Sequence, residues 1–422
     1  MIYMGKNSKV DLNKLMHSLF SSKNKPAEVY SSFKNSLFNK TGLLEKKEFI
    51  KRFFNLSKLS RKSDSFITGL DIGTSAVKSA LFSFDGASSL QLVDLDMEEI
   101  SHEDFQSPGR LELIRDKVMK MQARNSLRGK VVVSIPLPEL LVELMYLPVM
   151  PQEDLDKAVR WEAREKLLVD EESYITDYIA LGEVMTSQQA QQEILFFSIP
   201  RKHVLDNYQV LSGLGLQITA IRPSFLAIIQ GFEDKSLWRE DEVVGLLDIG
   251  AGSSTFSIIS GGCLHFNRCF NISGDSITRS IADYCRVSYE EAERQKRDIG
   301  MSKMALEEDR KEGGVSDQPL VRISHSMGLY LDQLITEIQH TSDYFLLQVS
   351  SAPFSKMSRL ILSGGGAAIK GIADFFKSRL NIPVDTPDPF NYIQLQSADL
   401  AQKQFSGSSV RFAAAIGLGQ KL

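Results

Sequence analysis

Cysteine is scarce in this sequence and tryptophan scarcer. The 422 residues hold three cysteines, Cys263, Cys269 and Cys285, and two tryptophans. The cysteine count is odd and no C-x-x-C occurs, which argues against a disulfide framework or a zinc knuckle and for a reducing compartment. The six histidines include no H-E-x-x-H, the pattern of a helical zinc site. Residues 1–10 lack the apolar core of a secretory signal. The most apolar long stretch, 131–151, is broken by Pro136, Pro138, Glu139 and Glu143. It reads as two strands, or a strand and a turn, and not as a membrane span.

What is present is ordinary for a globular chain. Hydrophobic residues make up 43% and charged residues 24%, which suits two or three domains at roughly 150 residues each. The formal charge of −4 is unevenly spread: residues 1–65 hold 14 Lys/Arg against 5 Asp/Glu, and the rest of the chain 35 against 48. A basic arm precedes an acidic body, so contact with an acidic surface falls to the arm. Residues 1–28 are polar, with a composition that resists folding. In the helical pattern at 43–59, Phe49, Ile50, Phe53, Phe54 and Leu56 gather on one side, with Lys46, Lys47, Lys51, Arg52 and Lys58 elsewhere. A helix of that kind can lie on an anionic membrane surface, or dock on the body or on a partner. Residues 57–65 read as a linker.

The first globular strand is expected over Phe66-Ile67-Thr68-Gly69-Leu70 and runs into Asp71-Ile72-Gly73; a second follows over 77–84, turning at Asp85-Gly86. Further on, 111–122 and 152–168 read as helices, 131–135 and 194–199 as strands, and 201–214 as a helix closed by Gly213 or Gly215. Then the opening pattern recurs. Gly69-Leu70-Asp71-Ile72-Gly73 matches Leu246-Leu247-Asp248-Ile249-Gly250, and each copy leads through small residues to a strand and a glycine turn, the second at Gly261-Gly262. From the aspartate to the turn glycine is 15 residues in one copy and 14 in the other. This is a weak internal duplication of one α/β unit. Residues 301–318 read as a surface loop, 323–349 as a long helix, 360–362 as a strand, Ser363-Gly364-Gly365-Gly366 as a turn into a helix from about Ile369, and 410–418 as a final helix.

The turns carry the chemistry. In Asp71-Ile72-Gly73-Thr74-Ser75-Ala76-Val77-Lys78 a glycine hairpin lets backbone N–H groups approach an anion closely. Thr74 and Ser75 add hydroxyl donors, Lys78 a point charge for a phosphate oxygen, and Asp71 a carboxylate placed to hold a hydrated Mg2+. Gly250, Gly252, Ser253 and Ser254 repeat the device behind Asp248, without a lysine. Two such turns face to face would clamp a polyphosphate and its metal from both sides. Each alone is more simply a structural hairpin. Gly364, Gly365 and Gly366 offer bare backbone that can lie against a ring or a phosphate at a helix N-terminus, or merely a tight turn.

The set D-I-G-T-S-A-V-K, D-I-G-A-G-S-S-T and L-S-G-G-G-A-A-I-K-G resembles the nucleotide site of the actin-like ATPase superfamily. Within it the sequence looks most like the PilM family of type IV pilus assembly. S-I-P followed by L-P-V-M-P-Q-E-D-L in 131–168 supports this, as do Ile272-Ser273-Gly274-Asp275 leading to Glu290–Lys296, and the closing Phe412–Gly419. The resemblance covers about 66–420, and the first 50 or so residues lie beyond it. It implies an α/β, actin-like ATPase fold: two ribonuclease-H-like lobes, 66–242 and 243–422, enclosing ATP and Mg2+, with a small α/β subdomain inserted at about 137–220. Residues 1–65 form the extension. Asp71 and Asp248 take the metal side. Gly73, Thr74, Ser75 and Lys78 contact one set of phosphates, and Gly250, Gly252, Ser253 and Ser254 the other. Gly364, Gly365 and Gly366 lie near the adenosine, Gly274 belongs to the site, and Glu293 and Lys296 are either ribose contacts or surface charges on a solvated helix.

The resemblance also implies a cytoplasmic protein, peripheral to the inner membrane, that binds the cytoplasmic N-terminal peptide of a PilN-like inner-membrane partner. Self-association is a further expected contact; nucleic acid is not. At the interlobe helix Pro223 stands where an acidic residue is expected. Relatives use a polar side chain there to position the attacking water, so binding with weak or absent hydrolysis is expected. Two alternatives stay open. One is a membrane-tethered filament protein of the FtsA kind; the other is a small-molecule kinase of the same superfamily, which lacks a visible general base here.

Overall fold

Three β-sheets carry the chain, and two of them share one strand order. The computed structural model describes residues 66–85, 89–135, 139–170, 172–186, 189–232, 237–239, 242–260, 263–301, 319–346, 356–397, 400 and 409–420. The helix expected at 43–59, the linker, Gly86, Gly261, Gly262 and most of the 301–318 loop lie outside them.

The first sheet opens with an antiparallel meander, β1 (Phe66–Ile72), β2 (Ala76–Asp85) and β3 (Ser89–Glu99). Helices α1 (His102–Gln106) and α2 (Arg110–Ala123) lead to β4 (Lys130–Ser134), which runs parallel to β1. The insert follows: β5 (Leu141–Pro148), α3 (Gln152–Leu167), β6 (Tyr174–Thr186) and β7 (Gln189–Pro200). Its strands make a separate antiparallel sheet, β5-β7-β6. Leu155, Val159 and Ala163 recur at helical spacing on α3 and pack on Met145, Ile194 and Phe196 of that sheet. After α4 (Arg201–Ser212) the chain rejoins the first sheet as β8 (Gln217–Ile221), parallel to β4.

Helix α5 (Ser224–Gly231) carries the chain across to β9 (Val243–Ile249), β10 (Ser254–Ser260) and β11 (Cys263–Phe270), a second meander. Helices α6 (Gly274–Cys285), α7 (Tyr289–Ile299) and α8 (Pro319–Tyr344) precede β12 (Arg359–Ser363), parallel to β9; α9 (Ile372–Leu380) leads to β13 (Val384–Asp385). The second sheet is ordered β11-β10-β9-β12-β13, and the core of the first is β3-β2-β1-β4-β8. Both are therefore meander, then two parallel strands, in the same spatial sequence. On α8, Val321, Met327, Leu331, Leu334, Ile335 and Ile338 are all buried. Each such side chain is worth roughly 1.5–3 kcal/mol.

The chain after 243 does not stay in the second body. β14 (Gln394–Leu395) pairs with β3 at the edge of the first sheet. Helix α10 (Ala413–Gln420) also returns, and Phe412, Ala415 and Ile416 pack on Ala80, Phe82, Leu92 and Leu95. There α10 lies against β1 and α5 at backbone contact: a Cβ on Gly417 would sit 1.8 Å from the Ala227 carbonyl oxygen, and one on Gly69 2.0 Å from that of Ala415. This glycine-packed crossing is where the chain passes between the two lobes. The insert meets the second sheet too: His265 on β11 is 3.9 Å from Glu193 on β7. Burial pushes the imidazole down and the carboxyl up, each away from its charged form.

Candidate functional site

The two meanders end in the same hairpin. In the first, Ile72 pairs with Val77 and Asp71 with Lys78. In the second, Ile249 pairs with Ser254 and Asp248 with Thr255. Each is closed by one bond, Gly73 N–H to Ala76 O at 2.9 Å and Gly250 N–H to Ser253 O at 3.0 Å. The short side chains of the sequence motif allow both turns to be this tight. The hairpins meet: a Cβ on Gly252 would lie 2.6 Å from the Thr74 methyl carbon, so only glycine lets the second turn come this close to the first.

Directly opposite residues on neighbouring strands share a face, so the register puts Asp71 and Lys78 together, and their salt bridge is 2.9 Å. Thr255 occupies the corresponding place in the second hairpin. Asp248 sits deep in the cleft, still partly exposed. Burial, then the negative charge of Asp71, pushes its carboxyl up to about 6; Lys78 pulls the other way. The two aspartates therefore face each other closely enough to repel. Two hard carboxylates on opposed turns suit Mg2+, which keeps most of its waters and needs few protein ligands. Among the described residues no cage of three or more His, Cys, Asp or Glu occurs, so such an ion would lean on water and phosphate oxygens.

The third glycine element lies beside Asp248. Ser363 pairs with Asp248 in the parallel register of β12 and β9. Gly364 has φ +81, and a Cβ there would fall 2.3 Å from Asp248 Oδ1. The left-handed backbone and the close approach both require glycine. Gly365 has no atom within 4 Å of its Cβ position and is exposed. A short 3-10 turn, Gly365–Ala368, comes next; the α-helix expected near Ile369 starts at Ile372 instead. Lys370 and Gly371 break it because the Lys370 carbonyl is taken by the Met301 N–H at 2.7 Å.

Asp71, Gly73, Thr74, Ser75, Lys78, Asp248, Gly250, Gly252, Ser253, Gly364 and Gly365 thus converge on one cleft. Ser254 does not: strand alternation turns its side chain into the core, and its hydroxyl is fully buried. Gly366 is buried against Ile249, where a Cβ would lie 2.3 Å from Cγ2. Gly274 opens α6 behind the second hairpin, its N–H bonded to Gly250 O at 2.9 Å. The solvated-surface alternative does not describe Lys296, which is 6% exposed. Its ammonium donates to Gly274 O at 2.9 Å and Thr278 Oγ1 at 2.6 Å and pairs with Glu293 at 2.5 Å. Two of its donors tie α7 to the start of α6, and the third pairs with Glu293 on its own helix. Burial would raise the Glu293 carboxyl, but Lys296, Thr278 and Arg297 outweigh it and hold it below the usual range. Sequence reasoning missed one contact across the cleft, His102 to Asp275 at 2.8 Å. A lone histidine after a strand carries no motif.

A profile described as "Type IV pilus assembly protein PilM" matches residues 69–312. That is more than half of the chain. The chain belongs to the PilM family of type IV pilus assembly proteins. A second profile, "Cell division protein FtsA", matches 245–417. The FtsA of Bacillus subtilis (strain 168) is 28% identical over 156 residues, 36% of this PilM-family chain and 34% of the FtsA. The chain thus aligns with about a third of that curated relative. Among solved structures, a "PilM-PilN type IV pilus biogenesis complex" superposes with TM-score 0.67 at 21% identity, over 84% of this chain and 97% of the other. The ethanolamine utilization protein EutJ from Carboxydothermus hydrogenoformans gives 0.45 at 13%, over 85% and 90%. The fold of this PilM-family chain is the actin-like ATPase fold, two ribonuclease-H-like sheets and an insert. No described helix is long and apolar enough to cross a membrane.

Proposed function

We propose that this pilus-assembly protein binds ATP with Mg2+ between its two hairpins and, through the insert and the first lobe, holds the cytoplasmic N-terminal peptide of a PilN-like inner-membrane protein. It would work in the cytoplasm, peripheral to that membrane through its partner. The observation that carries the nucleotide half is the mutual approach of Asp71 and Asp248 on opposed, matching glycine turns. The bound metal would neutralise charge on the phosphates. The chain's own part is to grip: hairpin N–H groups, Thr74, Ser75 and Ser253 towards phosphate oxygens, Lys78 as a mobile charge, Gly364 and Gly365 as a flat wall. Glu293 and Lys296 brace the wall of the nucleoside pocket, and a ribose contact by Glu293 belongs to the same proposal. The PilM–PilN title of the superposing structure supports the partner half.

Turnover is proposed to be weak. Pro223 caps α5 with φ −61 and ψ 137 and has no side-chain acceptor to orient a water. Its neighbour Arg222 is buried and engages Gln230 at 3.3 Å. Self-association, and contact of 43–59 with an anionic membrane surface, are further proposals; the latter concerns residues outside those described.

Mg-ATP is expected to raise the melting temperature, as a ligand specific to the folded state must. The double variant Asp71→Ala, Lys78→Ala should lose that rise, and a retained rise would place the nucleotide elsewhere. Calorimetric titration with a synthetic N-terminal peptide of the PilN-like protein from the same genome tests the partner. Absence of heat at millimolar peptide, with binding of Mg-ATP intact, would remove that half alone.

A further inference from the structure

His102 is the first residue of α1 and belongs to the first lobe, yet its ring lies between two helices of the second. Its Nδ1 is 2.8 Å from Asp275 Oδ1 and its Nε2 2.9 Å from an Arg279 guanidinium nitrogen, both on α6. The ring stacks on Tyr289 of α7 with centroids 4.5 Å apart and planes at 17°. Asp275 is the hub: Oδ1 also accepts the Tyr289 hydroxyl at 2.8 Å, and Oδ2 accepts Arg279 Nε at 2.9 Å. Glu290, also on α7, lies close enough for its charge to feel the ring.

This contact is wired to both hairpins by backbone bonds. Two residues before His102, the Ile100 N–H donates to Ser75 O of the first hairpin at 2.8 Å. Across the cleft, the Asp275 N–H donates to Ala251 O of the second at 2.9 Å. Moving the lobes apart must therefore break the His102 contacts or drag a hairpin with them. A guanidinium can only donate, so Nε2 accepts from Arg279, which leaves Nδ1–H to donate to Asp275.

We propose that His102 latches the two lobes together across the mouth of the cleft, so that it sets how fast a bound nucleotide escapes. The nucleotide half rests on the function proposed above; the latch between the lobes does not. Physically it is a coupling between lobe closure and ligand retention, whose usual size is 5- to 150-fold in affinity. The helix α1 that carries His102 is short, and Ser101 caps it by accepting the Asp104 N–H, so the ring is presented on a fixed turn.

Two measurements test this on the full chain. Dissociation of a fluorescent ATP analogue with Mg2+ is timed by chase for wild type, His102→Ala, Arg279→Ala and the double variant. His102→Ala should speed release about tenfold, Arg279→Ala less, and the double variant should match His102→Ala within about twofold, because both remove one interaction. Separately, amide exchange on the nucleotide-free chain should be faster at Ile100 and Asp275 in either single variant. Release within twofold of wild type together with unchanged exchange overturns the latch. A wild type that binds no nucleotide sinks the function proposed above, and the exchange arm still decides the latch by itself.

Discussion

Gly417→Ala is expected to destabilise the chain at the crossing between its lobes. The added Cβ would lie 1.8 Å from the Ala227 carbonyl oxygen and 2.5 Å from its carbon. Both are backbone atoms of α5, so no side chain can swing aside; the two helices must separate. Overpacking of this kind costs about 3 kcal/mol or more, which lowers the melting temperature by roughly 3–4 °C in a chain of this size. The damage should not be local. Gly417 packs where α5 leaves the first lobe, and α10 also lies on Gly69, two residues before Asp71. Separating the helices therefore lifts β1 and the hairpin it ends in. Gly213→Ala is the control: that residue sits at φ −65 with nothing nearer than 3.7 Å, so the change should stay within about 0.5 kcal/mol. Thermal melting of the two variants decides it. A Gly417→Ala chain melting within about 1 °C of wild type, at roughly 1 °C per kcal/mol for this length, would mean that the crossing is not as tight as described.

Asp248→Asn should do two opposite things. The folded protein holds the Asp248 proton up to about 6, above the 3.8 of an ordinary aspartate. Such a group favours the fold while protonated, and that contribution is lost as pH rises from about 4 through about 6. At pH 7.5 the wild type therefore carries an ionised carboxylate facing Asp71, at a cost that partial exposure limits to about 1–2 kcal/mol. Asparagine removes the charge, so the ligand-free variant should melt about 1–2 °C higher than wild type at pH 7.5 and no higher at pH 4. The same substitution deletes one of two carboxylates available to a metal. The variant should lose most of the stabilisation by Mg-ATP, and the wild type should bind Mg-ATP more weakly below pH 6, where the ligand must be stripped of its proton first. A variant that melts lower without ligand at pH 7.5 and keeps the full Mg-ATP shift would contradict both halves.

The site was legible where its chemistry is local. A glycine hairpin with an aspartate at the strand end is a pattern of five or six residues, and it recurs because the whole α/β unit recurs; reading one copy teaches the other. The matching strand orders of the two sheets were implied by the same repeat. Ser254 was misread because a motif letter does not say which way a strand residue points, and alternation turned it inwards. Helix ends shifted for local reasons. The long helix is already formed at Pro319, four residues before Ile323, the first apolar position of the pattern. The final helix begins at Ala413 after a 3-10 turn over Ser409–Phe412.

What stayed hidden is held by contacts between distant parts of the chain. Ala413–Gly419 is apolar all round, which announces burial but not which sheet buries it; Ala415 and Ile416 lie on the first, and Ala413 and Ala414 reach the second. For Lys296 the sequence leaves a ribose contact and a surface charge equally open, and only the fold brings it under Gly274. The His102 contacts join residues 173 and 177 positions apart, to Asp275 and Arg279, and no spacing rule reaches that far.

Amide exchange of the chain with and without saturating Mg-ATP, followed at the two turns, bears most directly on the single shared triphosphate. Residues 73–77 and 250–255 should both slow, with the same nucleotide concentration giving half the effect at each. Protection of one turn alone, or of neither while nucleotide is bound, would contradict it.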